Sequence, residues 1–316
     1  MSDPLSAFDA AVADLAPGIE VRHHEPLGPF TTYRVGGPAA RYLVVSDDRS
    51  LASVAEAVKV SGVEVLVVGK GSNLLVADAG FSGLALQLAG DFTTVDIAQR
   101  PDRSGAVVRA GGAALLPVVA RKTVAAGLTG FEWAVGVPGS IGGAVRMNAG
   151  GHGSDMAASL ARVRVVDLRS GEDGVVTPPM LELGYRSSSV VPHQVVAWAE
   201  LDLASGNRST SEDDLSEIVR WRRDNQPGGQ NAGSVFTNPS GDSAGRLIDL
   251  AGCKGLRIGT AEVSPKHANF IQADPGGSAD DVKRLMDEVA RRVADATGVT
   301  LHAETRLVGF SSPEGR

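Results

Sequence analysis

Cysteine is nearly absent from this 316-residue chain, which has a single one, Cys253. One thiol cannot close an intramolecular disulfide, so the sequence is typical of a protein from a reducing compartment. Basic residues are outnumbered as well: 30 Lys and Arg stand against 37 Asp and Glu, which gives a net charge of -7. An acidic chain of this kind lacks the basic face expected of a nucleic-acid-binding protein.

Long apolar runs are also missing. No run approaches the roughly 20 residues that a membrane-spanning helix needs, and the N-terminus lacks the basic and apolar regions of a signal peptide. The six histidines and one cysteine show no zinc-site spacing such as H-E-x-x-H or C-x-x-C. The sequence therefore predicts a cytoplasmic protein with no membrane, nucleic-acid or metal partner.

The pattern of apolar residues predicts a mixed α/β chain, long enough for two or three domains of roughly 150 residues each. The strand, helix and strand between residues 41 and 68 are typical of a βαβ unit with a parallel strand pair. Residues 161–176 are predicted to form a hairpin, and the polar residues 205–214 a linker. Helices are predicted at 5–15, 50–62, 115–127, 211–223 and 279–297, and further strands at 84–88, 106–110, 194–204 and 304–310.

Glycine is abundant, with 39 residues, and two segments concentrate it. The first glycine loop, GKGSNLL (69–75), follows a predicted strand; the glycine-rich stretch, GVPGSIGGAVRMNAGGHG (136–153), holds seven glycines. Glycine is costly in an ordered chain unless a turn needs positive φ or another group approaches the backbone closely. Exposed backbone N–H groups in such loops suit phosphate. Two loops of this kind favour a nucleotide-like cofactor, although plain turns are an alternative interpretation of either one.

Neither segment carries a familiar nucleotide-binding motif. The dinucleotide fingerprint G-x-G-x-x-G fails because Leu74 stands where its third glycine should be. The P-loop fails because a glycine follows Lys70. A different kind of nucleotide site is therefore expected.

Five segments carry longer and chemically unusual motifs. They are VVGKGSNLLVADAGFSGLAL, GFEWAVGVPGSIGGAVRMNAGGHG, GYRSSS, NAGSVFTNPSGDSAGRLIDLAGCKG and ETRLVG. In this order they resemble the UDP-N-acetylenolpyruvoylglucosamine reductases, flavoenzymes of bacterial cell-wall precursor synthesis, and the resemblance extends from Thr31 to Gly309.

The resemblance implies an α+β (mixed α/β) fold. Its first part would be a two-subdomain FAD-binding fold of the vanillyl-alcohol-oxidase/p-cresol-methylhydroxylase type, covering residues 1–204 with subdomains at about 18–90 and 91–204. Its second part, residues 205–316, would be a C-terminal α+β substrate-binding domain whose last strand returns to the active site.

The activity implied is the reduction of UDP-N-acetylglucosamine enolpyruvate to UDP-N-acetylmuramate by a monomeric enzyme with non-covalent FAD and NADPH. The bare backbone of the glycine-rich stretch would then lie against the FAD. The cofactor-binding residues expected from the matching motifs are Gly69, Lys70, Gly71, Ser72, Asn73, Leu74, Gly136, Pro138, Gly139, Ser140, Gly142, Gly143, Asn148, Ala149 and Gly150.

Three catalytic residues follow from the same resemblance. The reaction adds hydride to C3 of an alkene conjugated to a carboxylate, so negative charge builds at C2 and on the carboxylate oxygens. Ser234, in NAGSVFTNP, matches the family's proton donor to C2. Arg186, in GYRSS, matches the arginine that binds the carboxylate, a task suited to a planar guanidinium. Glu304, in ETRLVG, matches a glutamate that is either protonated or orients the arginine.

These three residues also have plainer interpretations. Taken alone, Ser234 is a turn cap, Arg186 one half of a surface ion pair and Glu304 a charge on an edge strand. The intact motifs around them favour catalysis.

Substrate binding is expected of Tyr185, Asn225, Asn238 and His267. Asn225 departs from the family, because many relatives have a lysine before this Gln-Pro pair that can meet the substrate diphosphate. The arginines of RWRRD (220–224) could supply the missing charge, or form a solvated helix face. Residues 187–194 are too short for the tyrosine-bearing loop that one branch of the family folds over its substrate, so the branch without that loop is expected.

Two alternative functions remain at this point. A flavin oxidase of the same broad fold would pass electrons to oxygen and could tether FAD to His152, but it would leave Ser234 and Glu304 without a purpose. A UDP-sugar-binding regulator without chemistry would be free to lose all three catalytic residues. The reductase is the favoured interpretation.

Overall fold

The computed structural model describes residues 3–310, and this part of the chain mixes helices and strands throughout. The α-helices are α1 (Pro4–Leu15), α2 (Asp48–Ser61), α3 (Leu116–Ala125), α4 (Ile141–Met147), α5 (Arg208–Asn225), α6 (Ala244–Leu250) and α7 (Ala279–Thr297). The strands are β1 (Arg22–Pro26), β2 (Pro38–Val45), β3 (Val65–Val67), β4 (Leu74–Val76), β5 (Phe81–Leu88), β6 (Val95–Gln99), β7 (Gly105–Gly111), β8 (Leu128–Thr129), β9 (Gly150–Gly151), β10 (Ser154–Asp155), β11 (Leu160–Asp167), β12 (Asp173–Val176), β13 (Gln194–Ser205), β14 (Arg257–Ile258), β15 (Ala261–Val263), β16 (Ile271–Ala273) and β17 (Arg306–Val308).

The chain forms two compact units and crosses between them several times. Of the described residues, unit 1 takes those up to 23, then 41–70 and 83–222; unit 2 takes 24–40, 71–82 and those from 223 onward. One crossing falls inside the first glycine loop, between Lys70 and Gly71. The domain boundaries expected from the sequence, at residues 204 and 205 and near residue 90, stay predictions.

A large antiparallel sheet organises unit 1. Its strand order is β12-β11-β13-β7-β6, and β8 also pairs with β13. The β11–β12 pairing is antiparallel, which confirms the predicted hairpin. Val119 of α3 and Val145 of α4 belong to one buried cluster with Val163 and Leu201 of the sheet. The sheet is therefore the platform that carries both helices, including the one inside the glycine-rich stretch.

A four-stranded sheet has the order β1-β2-β5-β3. Because β5 lies between β2 and β3, the predicted direct pairing of the two strands around α2 is wrong; β3 instead pairs in parallel with β5. A strand that arrives later in the chain fills the position between them, and local periodicity carries no signal of that insertion. Helix α1, with Asp3 as its N-cap and Phe8 buried, packs against α2.

Unit 2 is built around α7 and a small antiparallel sheet with the order β14-β15-β16. Ser278 caps the start of α7, and Gly298 ends it in the left-handed conformation, which a glycine adopts without steric cost. Leu285, Val289 and Val293 are buried on one face of the helix, in agreement with the predicted helix over 279–297. The last strand, β17, pairs in parallel with β4, directly after the first glycine loop.

Two helices differ from the sequence expectations. The glycine-rich stretch contains α4, whose Gly142 and Gly143 are poor helix formers that tertiary contacts override. Helix α5 begins at Arg208, so most of the predicted linker 205–214 is helical; the side chain of Asn207 accepts a hydrogen bond from the Thr210 amide and caps it. Among residues 3–310, no helix is both long enough and apolar enough to cross a bilayer.

Candidate active site

A cleft in unit 1 collects several of the expected cofactor-binding residues. The space between its walls that protein atoms leave unfilled, open solvent included, is about 730 Å³. Gly69, Lys70, Ser140, Gly142 and Gly143 line it. The other lining residues are Val67, Val68, Gln87, Leu88, Gly112, Ala113, Leu115, Arg146, Val190, Gln194 and Val196.

The two glycine segments meet at the edge of this cleft. A Cβ added to Gly69 would lie 2.5 Å from the hydroxyl oxygen of Ser140, so any larger residue here would require the Ser140 side chain to move. The Gly69 carbonyl accepts a hydrogen bond from the side chain of Gln87 (3.1 Å), which in turn accepts one from the buried Tyr42 hydroxyl (2.7 Å). The first glycine loop is thus held from the side of the four-stranded sheet.

The start of α4 packs against the residues that follow β7. The amide of Ile141 donates to the Ala114 carbonyl (2.9 Å), and that of Gly142 to the Gly112 carbonyl (2.8 Å). A Cβ on Gly142 would lie 3.1 Å from the same Gly112 oxygen. Glycine at these positions leaves backbone, rather than side chains, as the wall of the cleft.

The cleft also carries cations and apolar side chains. Lys70 and Arg146 line it, and so do Val67, Val190 and Val196. The two cations suit a diphosphate, and the valines suit a planar ring, so the residues present fit a dinucleotide such as FAD. Arg146, Gln87 and Gln194 were missed as site residues, although Arg146 lies within the motif GAVRMNAG; only the fold shows that they face the cleft.

Arg186 sits at the tip of a tight turn in unit 1. Gly184 and Ser187 form the bridge that closes the turn, and Arg186 itself has a φ of 56°, in the left-handed region. Its guanidinium donates to the Gly150 carbonyl (2.9 Å) and lies 5.2 Å from the ring centre of Tyr185. A non-glycine residue in this conformation is held there by its surroundings, as is common at functional sites.

Asn148 braces this turn. Its amide nitrogen donates to the Gly184 carbonyl (2.9 Å), and its amide oxygen accepts from the Ala157 amide (3.0 Å). The Asn148 side chain, which was predicted to contact a cofactor, therefore forms its hydrogen bonds within the protein. The backbone carbonyl of Gly150, another expected cofactor residue, is a partner of Arg186.

In unit 2, the rest of the first glycine loop is tied to the segment that carries Glu304. Gly71 has a φ of 63°, and a Cβ there would overlap the Phe30 carbonyl oxygen. The side-chain amide of Asn73 donates to the Glu304 carbonyl (3.1 Å), and the Arg306 amide donates to the Asn73 carbonyl (2.9 Å).

The segment after Ser234 joins the same network. The Glu304 amide donates to the Val235 carbonyl (2.8 Å), and Phe236 forms an isolated antiparallel bridge with Ala303. Gly233, with a φ of 76°, makes the turn that precedes Ser234. Unit 2 therefore brings the predicted catalytic residues Ser234 and Glu304 onto adjacent backbone segments.

The expected substrate-binding residues have varied surroundings. Tyr185 is 59% exposed, and Asn225 is an exposed residue at the end of α5. The side chain of Asn238 accepts from the Ala244 amide (3.0 Å) at the start of α6. His267 accepts from the Asn269 amide through Nδ1 (3.2 Å), and burial lowers its pKa below the ordinary value.

His152, the residue considered for covalent attachment of FAD, packs edge-on against Trp221 of α5, with ring centres 5.1 Å apart. Burial is the largest cause that lowers its pKa, followed by the charge of Arg222.

Comparison with known proteins identifies the family. The family model described as the UDP-N-acetylenolpyruvoylglucosamine reductase C-terminal domain matches residues 225–308, and an FAD binding domain model matches residues 39–173. A UDP-N-acetylenolpyruvoylglucosamine reductase from Paramagnetospirillum magneticum is 40% identical over 305 residues, which cover 96% of this chain and 97% of the relative. The chain belongs to the UDP-N-acetylenolpyruvoylglucosamine reductase family.

Further relatives agree with this assignment. A reductase of the same name from Rubrobacter xylanophilus is 40% identical over 289 residues, covering 90% of this chain and 94% of the relative. The crystal structure of the Thermus caldophilus reductase superposes with a TM-score of 0.77 at 36% identity, covering 92% of this chain and 98% of that one. The resemblance seen in the sequence and the predicted fold class are both confirmed.

Proposed function

We propose that this protein reduces UDP-N-acetylglucosamine enolpyruvate to UDP-N-acetylmuramate in peptidoglycan precursor synthesis, with NADPH as electron donor and non-covalent FAD as cofactor. One observation carries the proposal. The backbone network of unit 2 links Asn73 of the first glycine loop to Glu304, and Glu304 to the segment that follows Ser234. The same short network thus holds the expected cofactor loop, a carboxylate and a hydroxyl.

The cleft of unit 1 is the proposed site of the cofactor. Gly69, Gly142 and Gly143 would offer backbone to it, and Lys70 and Arg146 would offset the charge of its diphosphate. The chemistry that bound FAD supplies is the transfer of a hydride, received from NADPH, to C3 of the enolpyruvyl group.

The other half of the reduction falls to side chains. Arg186 would pair with the substrate carboxylate and stabilise the charge that develops there. The hydroxyl of Ser234 would give its proton to C2, so that one hydride and one proton convert the alkene into the lactyl ether. Glu304 would keep these groups in position or share the proton. Its half-buried place beside the Val235 segment is compatible with either role.

Many relatives have a lysine at the position of Asn225, so in this chain another cation would have to bind the substrate diphosphate. Arg222 is the best candidate of the three neighbouring arginines. It is half-buried, burial lowers its pKa, and within residues 3–310 no hydrogen bond or ion pair to its guanidinium is found. Arg223, by contrast, is exposed and pairs with Asp224 (3.2 Å). A half-buried cation without an acidic partner suits an anionic ligand.

Tyr185, Asn238 and His267 are proposed to complete the substrate site. Residues 187–194 are too short for a tyrosine-bearing loop, which supports the proposal that the chain belongs to the branch without it. A cytoplasmic location is proposed from the composition of the sequence, and a monomeric state from the family resemblance.

An anaerobic optical experiment tests the proposal. The purified protein with FAD should lose its flavin absorbance on addition of NADPH and regain it on addition of UDP-N-acetylglucosamine enolpyruvate. If the sugar nucleotide does not reoxidise the reduced flavin, and its absorbance returns only in air, the oxidase would be favoured. In Ser234→Ala, flavin reduction should stay near normal while reoxidation by the sugar nucleotide slows roughly 10²- to 10⁴-fold, as for loss of a general acid. Equal slowing of both half-reactions would contradict the role of Ser234.

A further inference from the structure

Asn269 in unit 2 makes an unusual set of contacts with the segment that follows Ser234. Its side-chain oxygen accepts a hydrogen bond from the Phe236 amide (3.0 Å), and its side-chain nitrogen donates to the Phe236 carbonyl (2.8 Å). The Asn269 backbone carbonyl accepts from the Val235 amide (2.9 Å). The residue is 4% exposed, so these bonds form away from water.

This arrangement specifies the side chain. A carboxamide has one acceptor and a pair of donor hydrogens, so it can satisfy both backbone groups of Phe236 at once. A carboxylate would place an oxygen against the Phe236 carbonyl, and an aliphatic side chain would leave two buried backbone groups without partners. Leaving such groups unpaired is costly.

The opposite edge of the same segment is also held. The Val235 carbonyl accepts from the amides of Glu304 (2.8 Å) and Thr305 (3.3 Å), and the Thr237 amide donates to the His302 carbonyl (2.9 Å). The segment 235–237 therefore lies between Asn269 and the Glu304 segment. Ser234 is the residue at its N-terminal end, so the direction of its Cα–Cβ bond depends on this backbone.

Asn269 is itself fixed by its neighbours. Its amide donates to Nδ1 of His267 (3.2 Å), and the Phe270 amide donates to the His267 carbonyl (3.0 Å). The imidazole of His267 packs edge-on against Phe270, with ring centres 4.7 Å apart. An Nδ1 that accepts leaves the hydrogen on Nε2 in the neutral ring, so the contact also selects one tautomer.

We infer that Asn269 is a positioning residue for Ser234: it fixes the 235–237 backbone so that the serine hydroxyl points where a proton is to be delivered. This inference rests on the proposed function of Ser234. Its effect should be confined to the second half-reaction, because reduction of flavin by NADPH does not use the serine proton.

The test compares Asn269→Ala with Asn269→Asp and with the control Asn207→Ala, which removes an asparagine at the exposed start of α5. Each half-reaction is followed anaerobically by stopped-flow absorbance, in H₂O and in D₂O. We expect both Asn269 variants to reduce flavin within twofold of the parent rate and to be reoxidised by the sugar nucleotide at least tenfold more slowly, with a larger solvent isotope effect. Asn207→Ala should match the parent. Asn269→Asp, which keeps the shape of the side chain, serves if the alanine variant does not fold.

A double variant separates positioning from a general effect on the fold. If Asn269 acts through Ser234, then Asn269→Ala should slow reoxidation less than twofold further in a Ser234→Ala background. Equal slowing of both half-reactions, or a further tenfold loss in that background, would overturn the inference. If Asn269→Ala is reoxidised at the parent rate while Ser234→Ala is slow, only the positioning role of Asn269 is overturned. If Ser234→Ala is itself reoxidised at the parent rate, the proposed proton donor is overturned.

Discussion

The side-chain amide of Asn73 donates a hydrogen bond of 3.1 Å to the backbone carbonyl of Glu304, a residue 231 positions further along the chain. The Arg306 amide returns a bond of 2.9 Å to the Asn73 carbonyl, and β4 and β17 continue from there as a parallel pair. The part of the first glycine loop from Gly71 onward and β17, the last strand within residues 3–310, therefore form one hydrogen-bonded element of unit 2. Asn73, which is expected to bind the cofactor, therefore also holds the backbone of Glu304, which is expected to act in catalysis.

Substitution of Asn73 should consequently affect the second half-reaction. In Asn73→Ala the loss of one side-chain bond should cost about 0.5–1.5 kcal/mol of unfolding free energy, and reoxidation of reduced flavin by the sugar nucleotide should slow about tenfold because the Glu304 segment loses its support. Denaturant unfolding and anaerobic stopped-flow absorbance measure the two effects. Asn207→Ala is the control. If Asn73→Ala is reoxidised at the parent rate, the bond from Asn73 to Glu304 does not contribute to catalysis.

Sequence patterns predicted the elements whose signals are local. The alternation in β11 and β12 around their turn and the apolar face of α7, with Leu285 and Val289, were enough to place both. The position of β5 between β2 and β3 was not predicted, since strand order depends on contacts between distant segments.

The candidate site shows the same limit. The sequence marked Asn148 as an amide for a ligand, but its partners include the carbonyl of Gly184, 36 residues away. Similarly, Gln87 lies outside the quoted motifs, and Arg146 lies inside one that does not show which way its side chain faces; only the fold shows that both line the cleft. Motif resemblance identified the chemistry, and only the fold distinguishes a residue that faces a cavity from one that braces it.

The conformation of Gly71 leads to a prediction about the first glycine loop. Alanine at this position would adopt a left-handed conformation that costs roughly 1–2 kcal/mol, and its Cβ would overlap the Phe30 carbonyl. Gly71→Ala should lower the free energy of unfolding by at least this amount and weaken FAD binding, measured by fluorescence titration of the apoprotein. The control is Gly174→Ala, where a Cβ meets nothing within 4 Å. Equal FAD affinity in the two variants would contradict a role for the loop.

Burial of His267 makes stability depend on pH. Its pKa is lowered in the folded chain from an ordinary value of 6.5, so the unfolded chain takes up the proton more readily as the pH falls. The contribution is complete above about pH 6.5 and is lost as the pH falls towards the folded pKa. The free energy of unfolding in urea should therefore drop between pH 7.5 and 5.5, and drop less in His267→Gln. The same slope in both proteins would contradict the assignment.

Arg222 should set the affinity for the sugar nucleotide. Its Cδ lies 3.3 Å from the position that a Cβ on Gly136 would take, so its stem is fixed against the glycine-rich stretch. In Arg222→Met, loss of a charge-assisted contact worth about 1.5–3 kcal/mol should raise KM for the sugar nucleotide roughly 10- to 150-fold. KM for NADPH and the FAD dissociation constant should change little. The exposed Arg220→Met is the matched control, and equal changes in the two variants would indicate general surface charge.

Arg186 offers the sharpest test of the carboxylate site. Its left-handed backbone, its bond to the Gly150 carbonyl and the Tyr185 ring beside it direct the guanidinium, and lysine could copy the charge but not the planar pair of donors. Arg186→Lys should therefore slow reoxidation by the sugar nucleotide roughly 10- to 150-fold, which corresponds to losing one charged hydrogen bond of about 1.5–3 kcal/mol. Flavin reduction by NADPH should stay within twofold, because the donor has no enolpyruvyl carboxylate. If the lysine variant is reoxidised at the parent rate, charge alone is sufficient and the bidentate geometry is not used. If both half-reactions slow together, Arg186 supports the turn rather than the substrate.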